Sequence, residues 1–329
     1  MTTTATTTAA FAVEDLHVTL GRGAHAARIV RGVSWSVQPG QGLGIVGESG
    51  SGKSMTVLAD TGLVPPPVRV EGRARLDGTD LLALGPGDLR RTRGRGLGFV
   101  FQDPMTSLNP LLTIERQITE GIEEHLGATR RAARSRAHEL LEMVGIPDPG
   151  RRLGSYPHQM SGGMRQRVMI AIALACEPTM LIADEPTTAL DVTTQAQIID
   201  IVRELQDRIG MAVVWISHDL GVVGGLADEV VVMYGGQVVE QAPVQELHDA
   251  PAHPYTRGLL GARPRLGEVR EELVAIPGSP PDPRRLPVGC VFHDRCPIRA
   301  ERCATEMPPL AEVAPVHRAR TFCVEVGWR

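Results

Sequence analysis

Gly47-Glu48-Ser49-Gly50-Ser51-Gly52-Lys53-Ser54, followed by Met55, decides how this 329-residue sequence is read. The stretch fits G-x-x-x-x-G-K-[ST], the pattern of a phosphate-binding loop. Its glycines let the backbone curl so that successive N–H groups face phosphate oxygens. A helix opening near Lys53 adds its positive dipole end to the same place. Lys53 supplies a compact point charge for the outer phosphates, and the Ser54 hydroxyl is placed to ligate magnesium. Composition singles out the same residue, because Lys53 is the only lysine among 34 Lys+Arg. Arginine and lysine are not interchangeable where geometry matters, so a chain that uses arginine everywhere else keeps an ammonium here for its chemistry.

Outward from the loop, Gln41–Val46 reads as a buried strand and Ser54–Leu63 as a helix, together the first unit of a parallel α/β sheet. Ala12–Leu20 and Val33–Val37 read as alternating strands, and 104–178 as mainly helical, with an amphipathic stretch at Ala128–Val144. Met180–Ala183 is a second buried strand, and it runs into Asp184-Glu185. Acids at the C-terminal end of a parallel strand face the crevice that the phosphate loop lines. Asp184 would hold magnesium and Glu185 would polarise an attacking water. Thr193–Ile209 repeats apolar residues at helical spacing and stops at Gly210, Ala212–Ile216 reads as a strand, and His218 follows it within reach of a terminal phosphate. Gly235-Gly236 joins Val230–Tyr234 to Gln237–Glu240 as a two-residue hairpin.

Composition narrows the function further. A net charge of −4 gives no global basic field for nucleic acid, and 22% charged with 42% hydrophobic residues excludes wholesale disorder. No apolar run reaches the ~18–20 residues that span a bilayer. Residues 1–10, mostly Thr and Ala, lack the pattern of a secretory signal and are expected to be a disordered tail of a cytosolic protein. Beyond about residue 250 the chain turns proline-rich and then cysteine-rich, so a small appended module is expected there.

The remaining motifs resemble the ATP-binding subunits of ABC transporters over residues 11–255. Ser161-Gly162-Gly163-Met164-Arg165-Gln166-Arg167 is similar to the family signature and opens a helix expected to run to about Cys176. Gln102 resembles the Q-loop glutamine that contacts magnesium and senses the membrane partner, Asp191 the D-loop acid, and His218 the switch histidine. The resemblance implies an α/β P-loop NTPase fold, with a RecA-like core, an antiparallel β subdomain and a helical subdomain. It also implies a head-to-tail dimer in which each signature covers the ATP held by its partner's phosphate loop. Two departures stand out: Met164 where the signature has Gln, and Leu20 where an aromatic residue stacks on adenine.

Within that family, Gly44–Ser54, Phe101–Pro110 and His253-Pro-Tyr-Thr256 resemble the dipeptide/oligopeptide importer ATPases, with nickel importers on the same branch. The implied assembly contains a second ABC ATPase, two transmembrane permeases and an extracytoplasmic solute-binding protein, with this chain on the cytoplasmic face of the membrane. Residues 256–329 would form the C-terminal domain of that branch. They carry Cys290, Cys296, Cys303 and Cys323, spaced C-x5-C-x6-C-x19-C. ATP chemistry implies a reducing compartment, which favours a metal site over disulfides. The close pairs of structural zinc are missing, and Cys296-Pro297 echoes a ligand–proline pairing of ferredoxins. The resemblance implies a 4Fe-4S cluster; zinc and unligated thiols stay open. Arg295, Arg299 and Arg302 could offset its charge. Cys176 reads as core. Two rivals complete the field: an ABC-type ATPase acting on nucleic acid, and an iron–sulfur redox regulator that uses ATP. The first usually needs paired ATPase domains or long coiled coils, which this sequence lacks.

Overall fold

The computed structural model describes residues 9–23, 26–188, 190–262 and 276–322. The strands among these residues are β1 (Phe11–Leu20), β2 (Ala27–Val37), β3 (Gly42–Val46), β4 (Val68–Leu76), β5 (Thr79–Asp80), β6 (Leu97–Val100), β7 (Met180–Asp184), β8 (Ala212–Ser217), β9 (Glu229–Tyr234), β10 (Gln237–Pro243), β11 (Leu310–Ala314) and β12 (His317–Arg320). The chain divides into two compact units, each assembled from separated stretches of sequence. The first takes Ser36–Gly42 and Arg75–Ile216; the second takes Ala12–Trp35, Leu43–Ala74 and the residues from Ser217 onward.

In the first unit β6, β7 and β8 run parallel, with Leu97 opposite Met180 and Met180 opposite Ala212. Every residue of β7 and β8 is buried, as continuous apolar runs in a sheet covered on both faces require. Helices Ile114–Leu126 and Arg130–Met143 bury Ile114, Ile118, Ile122, Ala137, Leu140 and Leu141 along one stripe each. The expected helix at Ala128–Val144 is therefore present within two residues at each end. The helix after the signature covers Gly162–Ala173 and stops three residues short of Cys176. Thr179 then ties the start of β7 to Gly96, its hydroxyl donating to the Gly96 carbonyl at 3.2 Å.

The second unit builds on β3, whose partner is β9 in parallel register, Leu43 opposite Glu229 and Val46 opposite Val232. β9 turns through Gly235 (φ 54°) and Gly236 (φ 78°) into antiparallel β10. Both positive φ values are those of the two-residue hairpin expected from Gly-Gly. A Cβ on Gly236 would lie 2.3 Å from the Ile29 carbonyl oxygen, so the turn also needs glycine for space. β12 adds to β10, Glu240 opposite Ala319, and β11 adds to β12. β11 and β12 thus extend the strands beside the phosphate loop. β2, β1 and β4 are neighbours in a further sheet. β2 begins at Ala27, six residues before the expected strand; buried and unburied residues alternate strictly only over Val33–Val37, the part that the sequence pattern shows.

One buried polar knot holds the C-terminal strands. The Glu240 carboxylate accepts from His317 Nε2 at 2.7 Å and from the backbone N–H groups of Ala252 and His253 at 2.6 and 3.0 Å. A buried carboxylate is tolerated because each oxygen has donors. His253 in turn accepts the Tyr255 N–H through Nδ1 at 3.1 Å, capping the helix Pro254–Gly261. Full burial lowers the His253 pKa to about 4, with the Glu240 charge opposing the shift.

Candidate nucleotide site

The phosphate loop lies in the second unit, between β3 and the helix Lys53–Asp60. Two glycines are sterically required. A Cβ on Gly47 would sit 2.3 Å from the Met233 carbonyl oxygen, and Gly52 has φ 102° with the Ile29 oxygen 3.0 Å from a Cβ. Lys53 is buried, and its Nζ donates to the carbonyls of Gly47 at 2.7 Å and Glu48 at 3.1 Å. The ammonium therefore hangs across the loop that it would share with a phosphate. Among the described residues the buried Ser51 hydroxyl has no hydrogen-bond partner, which an incoming phosphate oxygen would supply. Ser49 and Gly50 are exposed at the loop's crest, while Ser54 and Met55 on the first helical turn are half-buried. Leu20, at the end of β1 in this unit, is 40% exposed. His218 directly follows β8 and is exposed.

The first unit carries the acids and the signature. Asp184 is buried at the last position of β7. Glu185 turns away with φ 46°, an uncommon conformation for a non-glycine residue, while its N–H donates to the Ile216 carbonyl at 3.0 Å. Its carboxylate accepts from Thr188 Oγ1 at 3.1 Å and from Gln102 Nε2 at 3.4 Å. Gln102 and Glu185 lie 83 positions apart in sequence and meet here.

Ser161 caps the signature helix, its Oγ accepting the Met164 N–H at 3.3 Å. Gly163 allows a close approach: a Cβ there would lie 2.8 Å from Thr194 Cγ2, and on Gly162 3.9 Å from Leu190. Thr194 in turn is bound to Asp191, which accepts its N–H at 2.9 Å and its hydroxyl at 2.7 Å. Those bonds lower the Asp191 pKa below the usual carboxylate range. Signature and D-loop acid thus pack as one surface. Arg165 and Arg167 point back into the fold, onto the carbonyls of Pro157 at 2.8 Å and Val144 at 3.0 Å.

Cys290, Cys296 and Cys303 line one small cavity in the second unit, about 10 Å³, with His253, His293 and Arg320. Soft thiolates with imidazole nearby suit iron–sulfur or zinc chemistry. Among the described residues no three His, Cys, Asp or Glu side chains stand where a single metal ion could be gripped. Cys323 lies outside the described residues. Cys176 is half-buried in the first unit, its thiol pKa raised by burial, in keeping with a core role. Arg295 does not face the cysteines as a counter-charge; its guanidinium is spent on Glu48, with Nη1 at 2.6 Å and Nη2 at 3.0 Å. Arg302 lies over the Phe322 ring, 3.5 Å from its centroid.

The Glu48 clamp was not visible in the sequence. Besides Arg295, the Tyr255 hydroxyl accepts the Glu48 N–H at 2.7 Å. Tyr255 belongs to His253-Pro-Tyr-Thr256, a motif whose place in sequence carried no hint of contact with the loop.

Comparison with known proteins agrees over most of the chain. Residues 30–188 match the ABC transporter family, and 239–303 match the oligopeptide/dipeptide transporter C-terminal region, which includes Cys290, Cys296 and Cys303. A putative peptide import ATP-binding protein of Brucella abortus is 52% identical over 277 residues, 84% of this chain and 83% of the relative. The oligopeptide transport ATP-binding protein OppD of Mycobacterium tuberculosis is 49% identical over 316 residues, 95% of this chain and 52% of the relative, so the chain spans about half of that protein. Among solved structures, a dimeric ATP-binding cassette in a post-hydrolysis state with ADP and Pi is 30% identical with a TM-score of 0.64. That match covers 71% of this chain and 98% of the other.

Proposed function

Because the chain belongs to the ABC transporter ATP-binding family, on its oligopeptide/dipeptide branch, we propose that it hydrolyses ATP to power peptide import. The observation that carries this reading is the phosphate loop, where a buried Lys53 bridges the Gly47 and Glu48 carbonyls and the buried Ser51 hydroxyl has no partner among the described residues. Residues Gly47 to Met55 wrap the phosphates of ATP, and Lys53 moves from the loop carbonyls to the outer phosphate oxygens. Leu20 offers an aliphatic face to adenine, so discrimination among bases rests mainly on the phosphate contacts. Ser54, Asp184 and Gln102 would hold Mg²⁺, which neutralises phosphate charge when bound. Glu185, oriented by Thr188 and Gln102, accepts a proton from the attacking water, and His218 donates to the terminal phosphate. Ser161, Gly162, Gly163 and Met164 close over the ATP of a second ATPase subunit, with Asp191 supporting them.

Among the described residues no helix is long and apolar enough to cross a membrane. In this reading two transmembrane permease subunits complete the transporter. We place the chain at the cytoplasmic face, with residues 11–255 as the ATP-binding domain and about 104–178 as its helical, permease-facing part. Residues 256–329 form the branch-specific C-terminal domain, and Cys290, Cys296, Cys303 and Cys323 would hold a 4Fe-4S cluster, with zinc as the alternative. Cys296→Ser would lose bound iron; a variant that keeps a full cluster refutes the ligand set, and zinc in its place identifies the alternative.

The transport reading is tested by purifying the tagged protein from its native membranes in mild detergent and identifying what accompanies it. Two multi-span permeases, a second ATPase and a peptide-binding protein are expected. A binding protein for nickel or another small solute would redirect the substrate within the branch. Ribosomes or DNA in their place would overturn the transport function.

A further inference from the structure

Glu48 poses an electrostatic problem. It is the second residue of a loop built to receive a triphosphate, and a carboxylate there opposes the charge it must accept. The structure answers the problem with Arg295, 247 positions away in sequence. Its guanidinium meets both carboxylate oxygens in a fork, at 2.6 and 3.0 Å, and is only 5% exposed, against 27% for Glu48. Its other hydrogen bonds go to fixed acceptors: Nε to the Pro277 carbonyl at 2.7 Å, Nη2 to the Ile276 carbonyl at 3.2 Å, and Nη1 to the Tyr234 hydroxyl at 3.3 Å. The Tyr234 and Phe292 rings stand 5.7 and 6.0 Å from its central carbon. Such a bidentate, partly desolvated pair is strong, and only arginine provides the fork. Tyr255 meanwhile takes the Glu48 amide, so the residue is held by side chain and backbone at once.

We propose that Arg295 is a positioning residue of the ATP site, cancelling the Glu48 charge and holding the start of the phosphate loop in place for nucleotide. The inference rests on the loop being the ATP site. It also gives the C-terminal segment a physical line to that site, because Cys296, the next residue, lines the cysteine cavity. Any change at the cysteines that shifts Arg295 would be felt at Glu48.

The test is isothermal titration of the full chain with MgATP. Arg295→Gln leaves the Glu48 carboxylate unopposed and should weaken binding roughly tenfold, with the deficit shrinking as salt is raised. Glu48→Gln combined with Arg295→Gln should recover most of the affinity that Arg295→Gln loses, since the uncompensated charge is gone. A purely structural arginine would leave the double variant as weak as Arg295→Gln, and that result overturns the proposal. So does wild-type affinity in Arg295→Gln. Should Arg295→Gln fail to fold, Arg295→Lys keeps the charge and loses the fork; weakening smaller than tenfold supports the proposal, and a loss that Glu48→Gln does not relieve contradicts it. Absence of MgATP binding by the wild type would remove the ATP-site reading first and this inference with it.

Discussion

The phosphate loop and the signature loop are both glycine-rich helix starts suited to anions, yet the protein supports them in opposite ways. The phosphate loop is braced from far away: Arg295 and Tyr255 reach Glu48 across 247 and 207 positions, and Met233 blocks any side chain at Gly47. The signature is braced over shorter spans. Ser161 bonds Met164 and Asp191 bonds Thr194, each three positions on, and Arg167 reaches the Val144 carbonyl 23 positions back. Long-range braces fix a loop rigidly and tie it to the rest of its unit. Local caps make a surface that is preformed but exposed, which suits the proposed closure over a second subunit's ATP.

The contrast can be broken most sharply at Lys53. Lys53→Ala should lower MgATP turnover roughly 100- to 1,000-fold, measured as phosphate release; unchanged turnover would remove the phosphate loop from the account. A second effect concerns the rigid side alone. Folded His253 stays neutral down to about pH 4, whereas its ordinary value is 6.5. Between those values the unfolded chain binds the extra proton, so stability rises with pH and is lost as pH falls below 6.5. The full loss is about 3 kcal/mol, read from denaturant unfolding at a series of pH values, and His253→Asn should flatten that slope. A slope that persists unchanged in the variant would assign it elsewhere. The smallest effect is on the signature side. Ser161→Ala removes one cap and should cost about 1 kcal/mol in unfolding, and a loss of several times that would show the signature to be far less locally held than described.

The same contrast explains what could be read from sequence. Strand β7, the helix Val192–Ile209 and the Gly235-Gly236 turn were legible within a residue or two, because their patterns are local and strong. The helix Pro86–Gly96 was not, since it buries no residue and so writes no apolar stripe. β4, which buries only Ala74 and Leu76, and the four-residue β6 gave equally little signal. Glu185 was named from its place after a buried strand, Gln102 and Asp191 from family motifs, and the bond between Gln102 and Glu185 appears only in three dimensions. Arg295 was read as a counter-charge for thiolates because it adjoins Cys296. Its true partner lies near the other end of the chain, where no spacing rule points.

The most direct test of ATP hydrolysis by this chain is single-turnover analysis of Glu185→Gln. The account predicts a variant that binds MgATP, retains it unhydrolysed and persists as a closed dimer, with turnover reduced roughly 100- to 10,000-fold. Hydrolysis at the wild-type rate would contradict the assignment of Glu185 as the group that activates water.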